Sequence, residues 1–314
     1  MPALLGRLAQ QTKVESITAS NAIEGVEVDP GRAEALAGDR PPGFRNRSEK
    51  EFAGYADALD GLMRDGSLEL ITVPRLLELH RKMLAHTDIQ GGLLKREDNR
   101  IANRESDGTT RIIFRPPPWQ ETEGLMVGLC SGYGYTLERE IVHPLVALSA
   151  FVLDLLAIHP VPDGNGRMAR LATSHELLRL GYGVARYVSV EQRVFESRNA
   201  YYLALEQSQR DWHAGAHSIW PWAEYWIGIL AHAYADFEDR VVAARGTEVG
   251  GKQERVRRWA LAEAPPEFEL RDVRRALPGI SDPTIRLALR ALRDQGELQS
   301  EGVGRGARWR RLEP

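Results

Sequence analysis

Apolar residues recur at three- and four-residue spacing over most of the chain, and this periodicity predicts a protein built mainly of helices. The first amphipathic run, Leu4 to Glu24, meets stop signals at Gly25 and at Asp29-Pro30. Gly38 to Gly43, with Asp39, Pro41 and Pro42, reads as a loop, and Ser48 to Met63 as a helix. Thr72-Val73-Pro74 looks like the cap of another helix, ending near Ala85. Between Gly91 and Pro118 the pattern breaks. Arg100–Asn103 and Thr110–Phe114 read there as short strands around the turn Asp107-Gly108, closed by Pro116-Pro117-Pro118. Helix resumes at Trp119, and Pro144–Ile158, apolar on most faces, predicts a central helix. After a loop at His159–Gly166, helices are expected at about Arg167–Leu180, Val190–Gln209 and Trp220–Arg245.

Three glycines within Gly246–Gly251 mark a linker. Beyond it lie two helical stretches, Lys252–Ala264 and Leu270–Leu277, then a helix capped by Ser281 and running to Gln295. Glu297–Ser300 and Ala307–Leu312 close the chain as a hairpin around Gly302–Gly306. The expected division is an N-terminal segment 1–40, a central domain 41–245 and a C-terminal domain 252–314.

Composition changes little in this picture. With 314 residues, 43% hydrophobic and 27% charged, the chain is an ordinary globular protein with room for about two domains. The net charge of −3 conceals a basic tail, since residues 252–314 carry +4 and the remainder −7. One cysteine, Cys130, excludes an intramolecular disulfide and fits a reducing compartment. The opening MPALLGRLAQQTKV turns polar too early for a signal peptide, and the run Val146–Ile158 is short and carries Asp154. These features point to a soluble, cytoplasmic protein without membrane association.

The candidate chemistry lies in His159-Pro-Val-Pro-Asp-Gly-Asn-Gly-Arg-Met-Ala-Arg170. A central helix ends at a histidine, and a tight Pro/Gly loop opens the next helix. Gly164-Asn165-Gly166 can turn backbone N–H groups toward an anion where that helix leaves its first amides unpaired. Arg167 and Arg170, three residues apart, can lean to one side with guanidinium forks suited to phosphate. Asp163 suits a Mg²⁺ beside phosphates, and His159 suits a general base.

This string resembles the signature of the Fic family, HPFx(D/E)GNGRxxR, departing only at Val161, where the family has a packing Phe. The resemblance implies a mainly α, Fic-type helical bundle with a short β-hairpin flap, and AMP transfer from ATP to a protein Ser, Thr or Tyr hydroxyl. It further implies that His159 takes the hydroxyl proton, Asp163 holds Mg²⁺, Gly164, Asn165 and Gly166 form the anion hole, and Arg167 and Arg170 grip the β- and γ-phosphates. Ser20-Asn-Ala-Ile-Glu24-Gly25 resembles the family's inhibitory motif (S/T)xxxE(G/N), so Glu24 is expected to pair with Arg170 and idle the enzyme. The flap, with Thr110, Arg111, Ile112 and Ile113, would dock an extended target segment, the protein itself included among candidate targets. Tyr201 and Tyr202 fall where the family places tyrosines beside adenine and ribose. Trp212, Trp220, Trp222, Tyr225 and Trp226 read as core packing, and His213 and His217 lack partners for a zinc pattern.

The tail resembles a winged helix-turn-helix domain. Ile285, Ala288, Leu289 and Leu292 form one stripe of its third helix, and Arg286, Arg290 and Arg293 another. The hairpin adds Arg305, Arg308, Arg310 and Arg311 with Trp309. DNA and protein are both open as its partner, and a homodimer is left open too. The alternatives to AMP transfer are AMP removal or transfer of another phosphate-containing group at the same site, or a DNA-binding regulator with a sensory Fic domain.

Overall fold

Burial follows the predicted helical periodicity through most of the first 237 residues. The computed structural model describes residues 2–38, 41–65, 68–104, 109–301 and 307–312. The chain divides into two compact units, Met1–Phe237 and Glu238–Pro314. In the first, α1 (Pro2–Ile23), α2 (Pro30–Leu36), α3 (Arg47–Arg64) and α4 (Val73–Met83) precede a hairpin of β1 (Ile101–Arg104) and β2 (Thr110–Phe114). Then come α5 (Thr122–Glu138), α6 (Pro144–Ile158), α7 (Asn165–Arg179), α8 (Val190–Glu196), α9 (Arg198–Gln209) and the start of α10 (Trp220–Arg258). The expected mainly helical bundle is what this unit forms, and most residues of α6 are buried in it.

Phe52, Tyr55 and Leu59 of α3, Phe151 and Leu155 of α6, Met168 and Leu171 of α7 and Trp222 of α10 share one core with Ile17 of α1. Each large apolar side chain taken out of water contributes roughly 1.5–3 kcal/mol. Side-chain caps set several helix starts: Asn46 accepts from Glu49 N and Thr72 from Arg75 N. Asp29-Pro30, expected as a stop, instead begins α2, because Asp29 accepts from Gly31 N and proline is favourable at the first helical position. The helix expected over Val190–Gln209 is interrupted at Ser197, whose hydroxyl donates to Arg193 O. Trp222 and Trp226 are core residues as expected, but Trp220 is exposed at the start of α10.

The hairpin is antiparallel, with Ala102 opposite Ile112, Asn103 opposite Arg111 and Arg104 opposite Thr110. Its expected turn, Asp107-Gly108, lies outside the described residues. Among those residues no helix is long and apolar enough to cross a membrane.

The second unit takes in the end of α10, a π-type turn at Trp259–Glu263, β3 (Glu267–Glu269), α11 (Leu270–Ala276), α12 (Asp282–Asp294), β4 (Leu298–Glu301) and β5 (Arg308–Arg311). Its antiparallel strands lie in the order β3-β5-β4, and β3 is an addition to the expected hairpin. Ile285, Ala288, Leu289 and Leu292 are buried, with Trp259, Phe268 and Trp309 in the same core. Glycine linker and domain boundary both differ from expectation. Helix α10 continues through Gly246–Gly251, since a glycine costs a helix only about 1 kcal/mol relative to alanine. The hairpin turn with Arg305 lies outside the described residues.

Candidate active site

The loop between α6 and α7 is folded by its own polar side chains. His159 ends α6 in the left-handed region (φ +51°), and Gly164 opens α7 at φ +79°, where a Cβ would stand 2.6 Å from Met83 Cε. Between them Asn165 makes a two-way clasp with Val161, accepting from its N–H at 3.0 Å and donating to its carbonyl at 2.7 Å. Val161, in place of the family's Phe, is fully buried.

His159 Nδ1 lies 3.3 Å from Leu156 O, which can only accept, so Nδ1 carries the proton and Nε2 is left with a lone pair. Burial pushes the imidazole pKa down to about 4, so the ring is neutral at pH 7 and equipped to take a proton.

Arg167 and Arg170 of α7 are buried and held apart by different partners. Arg170 donates from Nε to Ser20 Oγ and from Nη2 to Ser20 O and Glu24 Oε1, each at 2.8 Å. Burial opposes its charge, but Glu24 and neighbouring groups more than offset this and raise its pKa. Arg167 donates to Glu51 Oε2 at 2.6 Å and lies 3.5 Å from Asn21 Oδ1. Burial works against the Glu51 carboxylate, yet hydrogen bonds from Arg47 and Arg167 hold its pKa below the usual range. Among the described residues, Arg170 Nη1 and Arg167 Nε are buried without a partner, two N–H groups with capacity for a further acceptor.

Glu24 lies directly on the loop between α6 and α7, for a Cβ built on Gly166 would stand 2.2 Å from Glu24 Oε1 and 3.2 Å from Arg170 Nη1. Only glycine leaves that space. Asp163 faces outward, 3.3 Å from Arg47 Nη2 and 4.0 Å from Arg167 Nη2. Among the described residues no three His, Cys, Asp or Glu side chains gather to hold a metal ion. Asp163 with phosphate oxygens nevertheless matches the usual Mg²⁺ donor set of one or two carboxylates plus substrate phosphates.

Tyr201 is buried edge-to-face against Trp222, with ring centroids 5.2 Å apart, while Tyr202 is half-exposed. Both phenols are raised in pKa by burial and feel the charges of Glu24 and Arg170. In the hairpin, Thr110 and Arg111 are exposed and Ile112 and Ile113 partly buried.

Several supporting residues carry no sequence motif. His80 of α4 accepts from Gly92 N at Nδ1 and donates from Nε2 to Asp163 O, both at 3.0 Å. Lys95 and Asn99 bind carbonyls on either side of His159. His213 is used structurally: it stacks on Phe114 at 5.3 Å and donates to Arg115 O, fixing the base of the hairpin. The i, i+4 spacing of Arg47 and Glu51 is a signal for their pairing but not for their place at the site.

Residues 70–177 match the Fic/DOC family. The protein adenylyltransferase Fic of Nematostella vectensis is 26% identical over 207 residues, covering 64% of this chain and 44% of that protein. The protein of the same name from Drosophila willistoni is 32% identical over 113 residues, 36% of this chain and 20% of that one. The chain therefore spans less than half the length of these relatives. A Fic domain containing signaling protein from Bacteroides thetaiotaomicron has the same fold, with a TM-score of 0.63 at 21% identity over 78% of this chain and 92% of its own. A Fic family protein from Desulfovibrio desulfuricans matches 98% of this chain and 88% of its own with a TM-score of 0.59 at 23% identity.

Proposed function

Because this chain is a Fic family protein, we propose that it transfers AMP from ATP to a Ser, Thr or Tyr hydroxyl of a protein, and that Glu24 restrains the reaction. The observation that carries this reading is the position of Glu24. Its carboxylate sits on Gly166 and pairs with Arg170, so an anion already occupies the loop built for one. A phosphate would take the same donors once the carboxylate left, and the partnerless Arg170 Nη1 and Arg167 Nε add capacity for its oxygens.

In the proposed reaction the target hydroxyl oxygen attacks the α-phosphorus, and the bond from that phosphorus to the bridging oxygen of pyrophosphate breaks. His159 Nε2 takes the hydroxyl proton, and Nδ1–H remains on Leu156 O. Backbone N–H groups of Gly164, Asn165 and Gly166 face the phosphates, with Arg167 and Arg170 neutralising their charge. Asp163 would hold Mg²⁺, which when bound neutralises the α- and β-phosphates. Tyr201 and Tyr202 would flank the nucleoside, and Thr110–Ile113 would pair with an extended target segment.

The test is intact-mass spectrometry of the Glu24→Gly protein after incubation with ATP and Mg²⁺. The expected result is a gain matching AMP on the protein or an added target, larger than for wild type and absent from Glu24→Gly/His159→Ala. A gain of another nucleotide or phosphate group, or AMP loss from a pre-modified target, would replace AMP transfer with that reaction.

A further inference from the structure

Lys95 is a buried lysine whose ammonium touches no carboxylate among the described residues. Its Nζ donates to three oxygens, each at 3.0 Å: Asn99 Oδ1, Pro117 O and Ile158 O. Three acceptors and no donor face the nitrogen, which is the complement of –NH₃⁺ and not of a neutral amine. Asn99, which accepts one of those bonds, passes the connection on. Its Nδ2 donates to His159 O at 3.0 Å and reaches Val161 O at 3.4 Å. The Lys95 backbone N–H also donates to Pro160 O at 2.8 Å. Every carbonyl from Ile158 to Val161 is thus held from the segment that leads into the hairpin. Pro117 O lies on the far side of the same hairpin, and Asp98 Oδ1 accepts from Trp119 N at 2.9 Å.

We propose that Lys95 is a positioning residue for His159, its ammonium fixing the end of α6 and both roots of the β1–β2 hairpin at a single point. The proposal rests on His159 being the base of the transfer reaction and deepens that reading. A buried charge in such a place is costly unless its acceptors are fixed, so the three carbonyl-type oxygens and the ammonium hold one another rigid. The imidazole and the strands expected to present a target hydroxyl would then keep a constant relation, which is what proton abstraction requires.

Charge adds a second consequence. Lys95 from the hairpin approach, Glu24 from α1 and Asp163 from the loop are the charged groups that act on His159. Burial is the largest cause of its low pKa, and Lys95 acts in the same direction against the two carboxylates. Removing the ammonium is therefore expected to make the ring more basic.

The experiment uses the full chain in the Glu24→Gly background, comparing Lys95→Met, Lys95→Arg and Asn99→Ala. NMR titration of the His159 ring nitrogens is expected to show a rise of about one pH unit for Lys95→Met and little change for Lys95→Arg, which keeps the charge. Transfer measured with ATP is expected to lose on the order of 10- to 100-fold in kcat for Lys95→Met, with KM for ATP within about twofold and partial rescue in Lys95→Arg. Asn99→Ala cuts the link to His159 O without removing the charge. It is expected to lower kcat while leaving the ring's titration in place, and it stands in if Lys95→Met does not fold. An unmoved His159 titration in folded Lys95→Met, or wild-type kcat in Asn99→Ala, would overturn the proposal. The titration needs no turnover, so it is decided even where no transfer is detected.

Discussion

Arg170 and Arg167 begin as equivalent residues of one motif, three positions apart on α7, and the fold gives them different surroundings. Arg170 is tied to α1 by Ser20 and Glu24, and Arg167 to α3 by Glu51. The first tie was legible because the motif around Ser20 and Glu24 names both ends of it. The second was not, since the i, i+4 spacing of Arg47 and Glu51 says only which face of the helix they share, not how deep that face lies. His80 was silent for the same reason. Burial of His159 and His80 has a measurable consequence, since both are held below the ordinary imidazole value, His159 at about 4. The unfolded chain protonates these rings near about 6.5. Between that value and about 4 the unfolded state binds more protons, so stability falls as pH drops through this window and levels off below it. Urea denaturation is expected to give a lower midpoint at pH 5 than at pH 7.5, with a smaller fall for His159→Ala. Equal falls in the two proteins would mean that His159 is not buried neutral.

At the scale of elements, the periodicity located the long helices well, because an apolar stripe needs only a core to face. It failed where a single polar side chain decides. Asp29 turned a stop into the cap of α2, and Ser197 split one expected helix into α8 and α9. Helix α1 is a case apart, because it carries Glu24 at its end and yet is part of the core. Ile17 and Ser20 are completely buried, and Ser16 bonds Ser189 at the start of α8 at 2.9 Å. The proposed inhibition could not be relieved by lifting the helix off without exposing that core. Under the proposed scheme it would be relieved by moving one side chain, since Glu24 itself is one-third exposed. Ile17→Ala is accordingly expected to destabilise the protein by about 2–5 kcal/mol, read as a lower urea midpoint, whereas Glu24→Gly is expected to raise transfer with a much smaller midpoint change. A strongly activated, fully stable Ile17→Ala protein would contradict this account of α1.

For the whole molecule, net charge proved a poor guide to where cations are available. Among the described residues of the second unit, several arginines are spent internally. Arg274 pairs with Asp282, Arg257 with Glu297, Arg310 with Glu267 and Glu301, and Arg311 donates to the carbonyls of Leu261 and Ala264. The strands that would form a wing are therefore largely neutralised, which the count of +4 could not reveal. Arg286 and Arg290 differ. They lie one turn apart on α12, away from its buried stripe, and make no hydrogen bond or ion pair among the described residues. Two such guanidinium groups beside exposed Leu287 match a groove-facing helix, and we propose duplex DNA as the partner of this surface. Retention of labelled duplex is expected to weaken steeply with salt, and Arg286→Glu/Arg290→Glu to reduce the slope of log K against log salt by about 2, near 0.9 for each phosphate no longer neutralised. A slope equal to that of the wild type, with the helical circular dichroism preserved, would show that Arg286 and Arg290 do not meet the duplex and would overturn α12 as the DNA-binding surface.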